Sequence, residues 1–447
     1  MALFSSTRLF FLVAIELAKK YTRSLILGFF VGLLASLLFW KIYPILFVTW
    51  LQPIDRIGLV GDFTPTTLPT SVQNLISRGL TEISSDGTAI PALAASWEAT
   101  NSGKTFIFTL RKDRFWHNRA AVNAHDVNYN IRGVTFVPRD NETLVAHLQY
   151  PYSPFPALVS KPIFLPGLQG FGTYEVKGIK LQGDLVQSLN LYPMDTSTHR
   201  AKYYSFYRTE SQAMLAFQLG DLTSLEDIST PSALATWGKV HVEKKIKYDR
   251  VVGLFFNLHS PIFGEKSSRQ GLAYAVPTLP YERATSPIAK TSWAYAENVR
   301  KYTYDPVQAK KLIAESPLAS VSGELTLTTF PSYLDVAQSI ATSWTNLGVP
   351  TKVQVTSSVP SDYEVLLSGQ DLPPDPDQYA FWHSTQTQTN VTGYVNVKID
   401  KLLEDGRQEL DHEKRVKIYA DFQRRLVEDA PAVFLYYPNS YTITRTR

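Results

Sequence analysis

The spacing of apolar positions splits this chain into a short, almost uncharged N-terminal run and a long remainder of mixed α and β character. Ser24 to Trp40, SLILGFFVGLLASLLFW, carries no charge. At a rise of about 1.5 Å per residue it nearly spans a hydrocarbon layer of about 30 Å. Lys41 interrupts the run, IYPILFVTWL continues it to Leu51, and a lysine there can snorkel to the interface. The alternative is a cleaved signal peptide. Against it, the apolar stretch exceeds an h-region of about 7–15 residues, and no small-residue cleavage site stands out. Arg8, Lys19, Lys20 and Arg23 precede the run, against a single Glu16. The positive-inside rule then places the N-terminus in the cytoplasm and everything after about residue 52 outside.

Past the anchor, strand and helix periods alternate. Thr105 to Arg111 puts Phe106, Phe108 and Leu110 on one face of a strand after the turn Asn101-Ser102-Gly103. Leu144, Ala146 and Leu148 repeat the pattern ahead of a loop holding Pro151, Pro154 and Pro156. Asp305-Pro306 caps and opens a helix over VQAKKLIAES. Asp411 caps a second, HEKRVKIYADFQRRLVED, with Val416, Tyr419, Phe422 and Leu426 on one face. Pro431 ends it, and AVFLYY reads as a strand. No repeat or low-complexity linker breaks residues 52–447, so the lobes are expected to exchange chain rather than follow one another.

Composition narrows the class. A chain of 447 residues exceeds one ordinary core, so two or three lobes are expected. With 44% hydrophobic and 19% charged residues it has the balance of a folded globular protein. The net charge of +4 is spread along the chain, with no basic run dense enough for a nucleic-acid surface. The absence of cysteine excludes disulfides, thiolate metal sites, a cysteine nucleophile and a lipid-modified N-terminal cysteine. Any tether must therefore be made of protein.

Residues 80–132 carry a resemblance. Asp86-Gly87, Pro91, Leu93-Ala94, Ser96-Trp97, Phe108 to Arg111, Phe115, Val122, Ala124 and Asp126-Val127 occur in the order seen at the start of the family 5 extracellular solute-binding proteins, which bind oligopeptides, dipeptides and nickel. Each part also has a local role: Asp86-Gly87 turns the chain, Trp97 is an apolar anchor, and Asn123 caps a helix whose third residue is Asp126. Three further blocks follow in family order. Tyr204–Ile228 is similar to a helix and its following turn, Val252–Val276 to a crossing strand and helix, and Tyr304–Glu315 to a helix opened by Tyr-Asp-Pro. The last block, from about Asp362 to Pro438, contains PPDPDQY, DKLLEDGR and EDAPAVFLYYP. The resemblance covers nearly all of 55–447. It departs from the family in a short stretch between Arg132 and Thr143, in a transmembrane helix replacing the lipidated cysteine, and in Gly271, where alanine is usual.

The resemblance implies a two-lobed α/β fold like that of periplasmic binding proteins, of the class II or cluster C type, with a reduced extra lobe behind the transmembrane helix. It divides the chain into a cytoplasmic and membrane segment, 1–51; lobe I, 52–78 with 170–256 and 430–447; a trimmed small lobe, 79–169; and lobe II, 257–429. Closure of two lobes over a ligand shifts a two-state population, and Val251 to Asn257 is the expected hinge crossing. Asn257 is either a group that fixes backbone there or a strand-end turn residue. In peptide-binding members a late-loop aspartate pairs with the ligand ammonium, since an unpaired buried charge is costly. Asp371 falls nearest that position and Asp375 is the runner-up. Trp382, His383 and Gln386 follow as aromatic and amide groups suited to side chains and backbone of a ligand, with His383 read as hydrogen-bonding rather than metal-binding.

These features point to the substrate-binding component of an ABC importer that hands peptides or similar solutes to permease and ATPase subunits. No cofactor, metal or nucleic acid enters this reading. The localisation it implies is a cell membrane crossed once, with a monomeric ectodomain outside. Peptides, nickel chelates, haem and sugars are all bound within the family. A sensor, scaffold or chaperone could share the fold. A membrane-anchored ectohydrolase is a rival of another class, but no GxSxG, HExxH or Walker A pattern is present, and His412-Glu413 lacks its second histidine.

Overall fold

The computed structural model describes residues 19–50 and 54–446. A helix, Thr22–Trp50, covers the expected anchor. Its described apolar side chains run from Ile26 to Phe39 and are exposed, with Leu27 at 67% and Phe29 at 66%. Among the described residues no helix is long and apolar enough to cross a membrane. The side chains of Ser24, Leu25 and residues 40–50, and all of residues 1–18 and 51–53, lie outside the described residues. That includes the basic Arg8 and the end of the expected anchor at Leu51.

Two large sheets carry the remainder. The first has seven strands in the order Val240–Ile246, Asn439–Arg445, Ser224–Ile228, Asp55–Val60, Lys202–Tyr207, Leu185–Pro193 and Tyr174–Gln182. Its central strand, Asp55–Val60, pairs in parallel with both neighbours. One face packs Ile57, Leu59, Val72 and Ile76, and the other packs Phe217, Leu222, Leu225 and Ile443. The second sheet has six strands in the order Glu282–Arg283, Ala432–Tyr437, Arg250–Phe256, Val365–Asp371, Leu325–Thr329 and Thr351–Val355. Ala432–Tyr437 is buried at every position, as a continuous apolar run requires of a strand covered on both faces.

The small lobe has its own core around Phe106, Phe108, Leu144, Ala146 and Phe155. The expected alternation holds: Phe106, Phe108 and Leu110 are buried in Thr105–Leu110. That strand lies in a four-stranded sheet with Ala94–Thr100, Thr143–Leu148 and Val134–Pro138. The stretch after Arg132 is a tight hairpin, in which Asp140 Oδ1 accepts the N–H groups of Glu142 and Thr143, both at 2.8 Å. Asn123 forms its capping box with Asp126, but the helix it opens is a single 3-10 turn, Ala124–Asp126.

Both helix-capping signals hold. Asp305 Oδ1 accepts from Val307 and Gln308 at the start of Pro306–Ala314. Asp411 accepts from Lys414 at the start of His412–Asp429, which ends at Ala430 in the left-handed region. Gly271 has a packing reason: a Cβ there would stand 3.0 Å from Ile313 Cγ1 and 3.2 Å from the Ile313 nitrogen.

The hinge differs from the expectation. Arg250–Phe256 and Ala432–Tyr437 belong to the second sheet, not to lobe I. The chain crosses from the first sheet to the second at Lys247–Asp249, and returns at Pro438. Val251 to Asn257 is therefore an interior strand of the second lobe. A hinge needs residues free of the ladder to absorb φ/ψ changes, which an interior strand does not offer.

Candidate ligand-binding cleft

The strand Val365–Asp371 ends at the interface between the lobes. Its register with Arg250–Phe256 places Asp371 directly opposite Arg250. Leu372 N–H then donates to the Asp249 carbonyl at 2.7 Å. Pro373, Pro374 and Pro376 cannot donate to a ladder, so the chain leaves the sheet. Local side-chain bonds shape the loop that follows: Asp375 Oδ1 accepts from Asp377 N–H and Asp377 Oδ1 from Tyr379 N–H, each at 3.1 Å.

This loop walls two cavities. The larger, about 810 Å³, is lined by all three lobes: Thr70, Gln73 and Asn74 from the first, Glu82, Tyr152 and Lys161 from the small lobe, and Asp375, Asp377, Phe381 and Arg407 from the second. The smaller, about 480 Å³, lies on the second lobe and is lined by Phe255, Leu366, Gln370, Asp371, Trp382 and Val391. Phe381 lines both.

Three of the six residues singled out from the sequence line these cavities. Asp371 is 81% exposed and forms an ion pair with Arg250 Nη1 at 3.2 Å. Asp375 is bound bidentately by Arg415, Nη1 at 3.1 Å and Nη2 at 2.8 Å. Burial pushes the Asp375 carboxyl up from its ordinary range, against the pull of Arg415. Its two oxygens are thus committed within the protein. Trp382 is buried with its ring edge-on to Phe434, and its Nε1 has no hydrogen-bond partner among the described residues.

The other three line neither cavity. Asn257 stands at the far end of its strand, where Nδ2 donates to the Tyr363 carbonyl at 2.8 Å and Oδ1 accepts from His259 N–H at 3.1 Å. That arrangement is a strand-end turn. His383 is buried, stacks on Tyr379, and places Nδ1 2.8 Å from Thr385 Oγ1 and Nε2 3.4 Å from Glu404 Oε1. Gln386 Nε2 donates to Thr385 Oγ1 at 3.1 Å. Among the described residues no three His, Asp or Glu are grouped to hold a metal ion.

A cluster that sequence reasoning missed ties the small lobe to the second lobe. Asp377 Oδ2 accepts from Arg407 Nε at 2.9 Å and from Tyr152 Oη at 3.2 Å. The Arg407 guanidinium lies 4.1 Å from the Tyr379 ring and 5.1 Å from the Tyr152 ring. Ser153 N–H donates to the Arg407 carbonyl at 2.7 Å. Nearby, Trp293 N–H donates to the Asp86 carbonyl at 2.9 Å. A Cβ on Gly87, whose φ is +86, would meet the Pro374 carbonyl at 2.5 Å, so the Asp86-Gly87 turn needs glycine for close approach as well as for conformation. Asp377 and Arg407 both lie inside sequence blocks already noted, PPDPDQY and DKLLEDGR. Nothing local couples them to each other or to Tyr152.

The chain was compared with known proteins. The family model for bacterial extracellular solute-binding proteins, family 5 Middle, matches residues 88–140 and 203–391. The oligopeptide-binding protein AppA of Bacillus subtilis is 27% identical over 222 residues, 42% of this chain and 41% of that protein. The dipeptide-binding protein of Escherichia coli is 22% identical over 440 residues, 77% of this chain and 80% of its own length. Among solved structures, the ABC transporter substrate-binding protein CtaP of Listeria monocytogenes superposes with a TM-score of 0.76 at 19% identity, over 88% of this chain and 94% of that one.

Proposed function

This chain belongs to the bacterial extracellular solute-binding proteins of family 5, and on that premise we propose that it captures peptides outside the cytoplasm and delivers them to an ABC-type permease. The observation that carries the reading is the cavity of about 810 Å³ walled by all three lobes across a hinge of two chain crossings. Such a cavity exists as an enclosed space only while the lobes are together, so a ligand that fills it favours closure by its differential affinity. Relatives named for oligopeptide and dipeptide binding support peptides as the cargo.

The helix Thr22–Trp50 is the proposed tether. Its exposed apolar side chains between Ile26 and Phe39 have no place in water, and the uncharged sequence from Ser24 to Trp40 supplies the length of a span. The basic residues Lys19, Lys20 and Arg23 at its start put the lobes on the outer side. Two measurements test the reading. Native mass spectrometry of the ectodomain purified from its own host should show a bound peptide. Protease added to intact cells should digest the chain beyond residue 52. A non-peptide ligand would change the cargo, and protection of the ectodomain in sealed cells would reverse the topology.

A further inference from the structure

Asp55 opens the central strand of the first sheet, and only residues 51–54 separate it from Trp50, where the helix Thr22–Trp50 ends. Fully extended, the chain from Trp50 to Asp55 reaches at most about 18 Å. The helix of 29 residues is about 43 Å long, the thickness of a bilayer with its headgroups, about 40–45 Å. A tether of that length holds the Asp55 end of the first sheet close to the outer headgroups.

Strand register shows what else stands at that end. Asp55 is level with Lys202 and Lys202 with Leu191; Ile57 is level with Ser224, Ser224 with Thr444, and Arg445 with Val240. Three connections therefore surface beside Asp55, and each carries an exposed apolar side chain. Met194, 51% exposed, follows Leu185–Pro193; Leu219, 71%, ends the helix Glu210–Leu219; Trp237, 37%, precedes Val240–Ile246. Arg445 holds the helix end in place, with Nε donating to the Leu222 carbonyl at 3.2 Å and Nη2 to the Phe217 carbonyl. At the opposite end, Gly183-Asp184, Arg208-Thr209 and Lys247 to Asp249 turn the chain without an exposed large apolar side chain among the described residues. Ile179 and Leu181, exposed on the edge strand Tyr174–Gln182, lie nearer that opposite end. Cations flank the three apolar residues. Arg56 and Lys239 meet Thr223 and Thr446 through backbone atoms and form no ion pair among the described residues. Arg200 stands 3.8 Å from Asp55. Of the carboxylates beside them, Asp195 is occupied by Ser197 and Thr198, and Asp221 is exposed.

Apolar side chains set among cations suit the boundary between headgroups and acyl chains, and tryptophan in particular settles there. We propose that this end of the first lobe is a membrane-contact surface. Met194, Leu219 and Trp237 sit in the headgroup layer, and Arg56, Arg200 and Lys239 meet lipid phosphates. The inference rests on the tether reading above and goes beyond it. A tether alone leaves the lobes free to tilt, whereas this contact seats the first lobe on the bilayer. Closure then swings the second lobe over a stationary first one. None of the six contact residues lines either cavity, so the seated lobe keeps its ligand wall free.

The chain has no cysteine, so a single introduced thiol carries a fluorophore at one chosen position. Leu219→Cys reports on the contact, Leu181→Cys on the other end of the same sheet, and Leu33→Cys on the tether; all three positions are exposed. The full chain is placed one per lipid disc of equal parts phosphatidylcholine and phosphatidylglycerol. Doxyl-labelled lipid should quench the probe at Leu219 strongly and the probe at Leu181 little, and acrylamide in the water should do the reverse. Trp237→Ser should return the Leu219 probe to water. Lys239→Gln should weaken the contact roughly fivefold, equivalent to about 1 kcal/mol for one cation at an anionic surface. Equal lipid quenching at Leu219 and Leu181, with Leu33 quenched, overturns the contact and leaves the tether standing. Shielding of Leu219 from acrylamide without lipid quenching means that protein covers it, and also overturns the proposal. A Leu33 probe that lipid does not quench removes the tether, and this inference fails with it.

Discussion

The Lys247 N–H donates to the Pro438 carbonyl at 2.9 Å, joining the two segments through which the chain passes between its main sheets. The Lys247 ammonium continues the link: Nζ lies 2.9 and 2.8 Å from the carboxylate oxygens of Asp227, whose Oδ1 also accepts from Ser440 Oγ at 2.8 Å. Asp227 adopts a φ of 58°, unusual for a residue with a side chain. One first-lobe carboxylate thus clamps the outgoing crossing at Lys247 and the returning strand at Ser440.

Loosening this clamp should change closure without touching the ligand. Asp227→Ala is expected to broaden the distribution of lobe angles, read as a larger mean radius in small-angle X-ray scattering of the empty ectodomain. Apparent peptide affinity should move while the preference for free over N-acetylated peptides stays constant. An unchanged scattering profile would show that the clamp does not set the equilibrium.

The same clamp has a pH dependence of definite sign. Burial opposes ionisation of Asp227, but Lys247 and Ser440 hold its carboxyl below the usual range. A group depressed in the folded state contributes stability above its unfolded pKa, near 4. That contribution is lost as pH falls through the lower folded value. Chemical denaturation from about pH 6 down to about pH 3 should show a decline that Asp227→Asn flattens. An identical slope in the variant would assign the acid sensitivity to other groups.

Arg415 and Asp375 form a largely buried pair, with side chains 8% and 13% exposed. Arg415→Leu leaves the carboxylate buried without its partner, a loss of about 3–5 kcal/mol. The melting temperature should fall sharply and then rise on acidification, because a raised carboxyl pKa makes the folded state take up the proton. Replacing both residues with leucine should recover much of the loss. A mild effect from the single change would mean that water reaches Asp375.

Asp371 offers the ligand a carboxylate that is solvent-exposed and already faces Arg250. Its contact with a peptide ammonium is therefore screened in the open form and strengthens only as closure excludes water. Asp371→Asn should weaken binding of free peptides by about tenfold, with little change in the melting temperature of the empty protein. N-acetylated peptides should bind poorly to the unaltered protein. Equal affinity for acetylated and free peptides would remove Asp371 from the site.

Among the described residues, every hydrophobic core begins at Ile57 or later. An ectodomain starting at Gln52 should thus be soluble and monomeric and unfold cooperatively. Aggregation of that fragment, alongside a well-folded full-length chain in detergent, would mean that the N-terminal segment contributes to the fold.

The sequence alone determined what depends on neighbours a few residues apart. Asp305 and Asp411 cap their helices because a capping carboxylate needs only the next turn of backbone. Phe106, Phe108 and Leu110 face one core because a strand has a period of two. The ordered motif blocks were enough to name the family. The tertiary structure decided the rest. Val251 to Asn257 read as a hinge, but the strands on either side take it into the second sheet, and the crossings fall at Lys247–Asp249 and Pro438. Asp375 looked like a ligand carboxylate until Arg415, forty positions away, occupied both its oxygens. Tyr152 and Asp377 stand 225 positions apart, yet share the hydrogen bond that fixes the wall of the cleft. Such pairings follow from how lobes pack, and no local period or cap encodes which distant side chain fills a given gap.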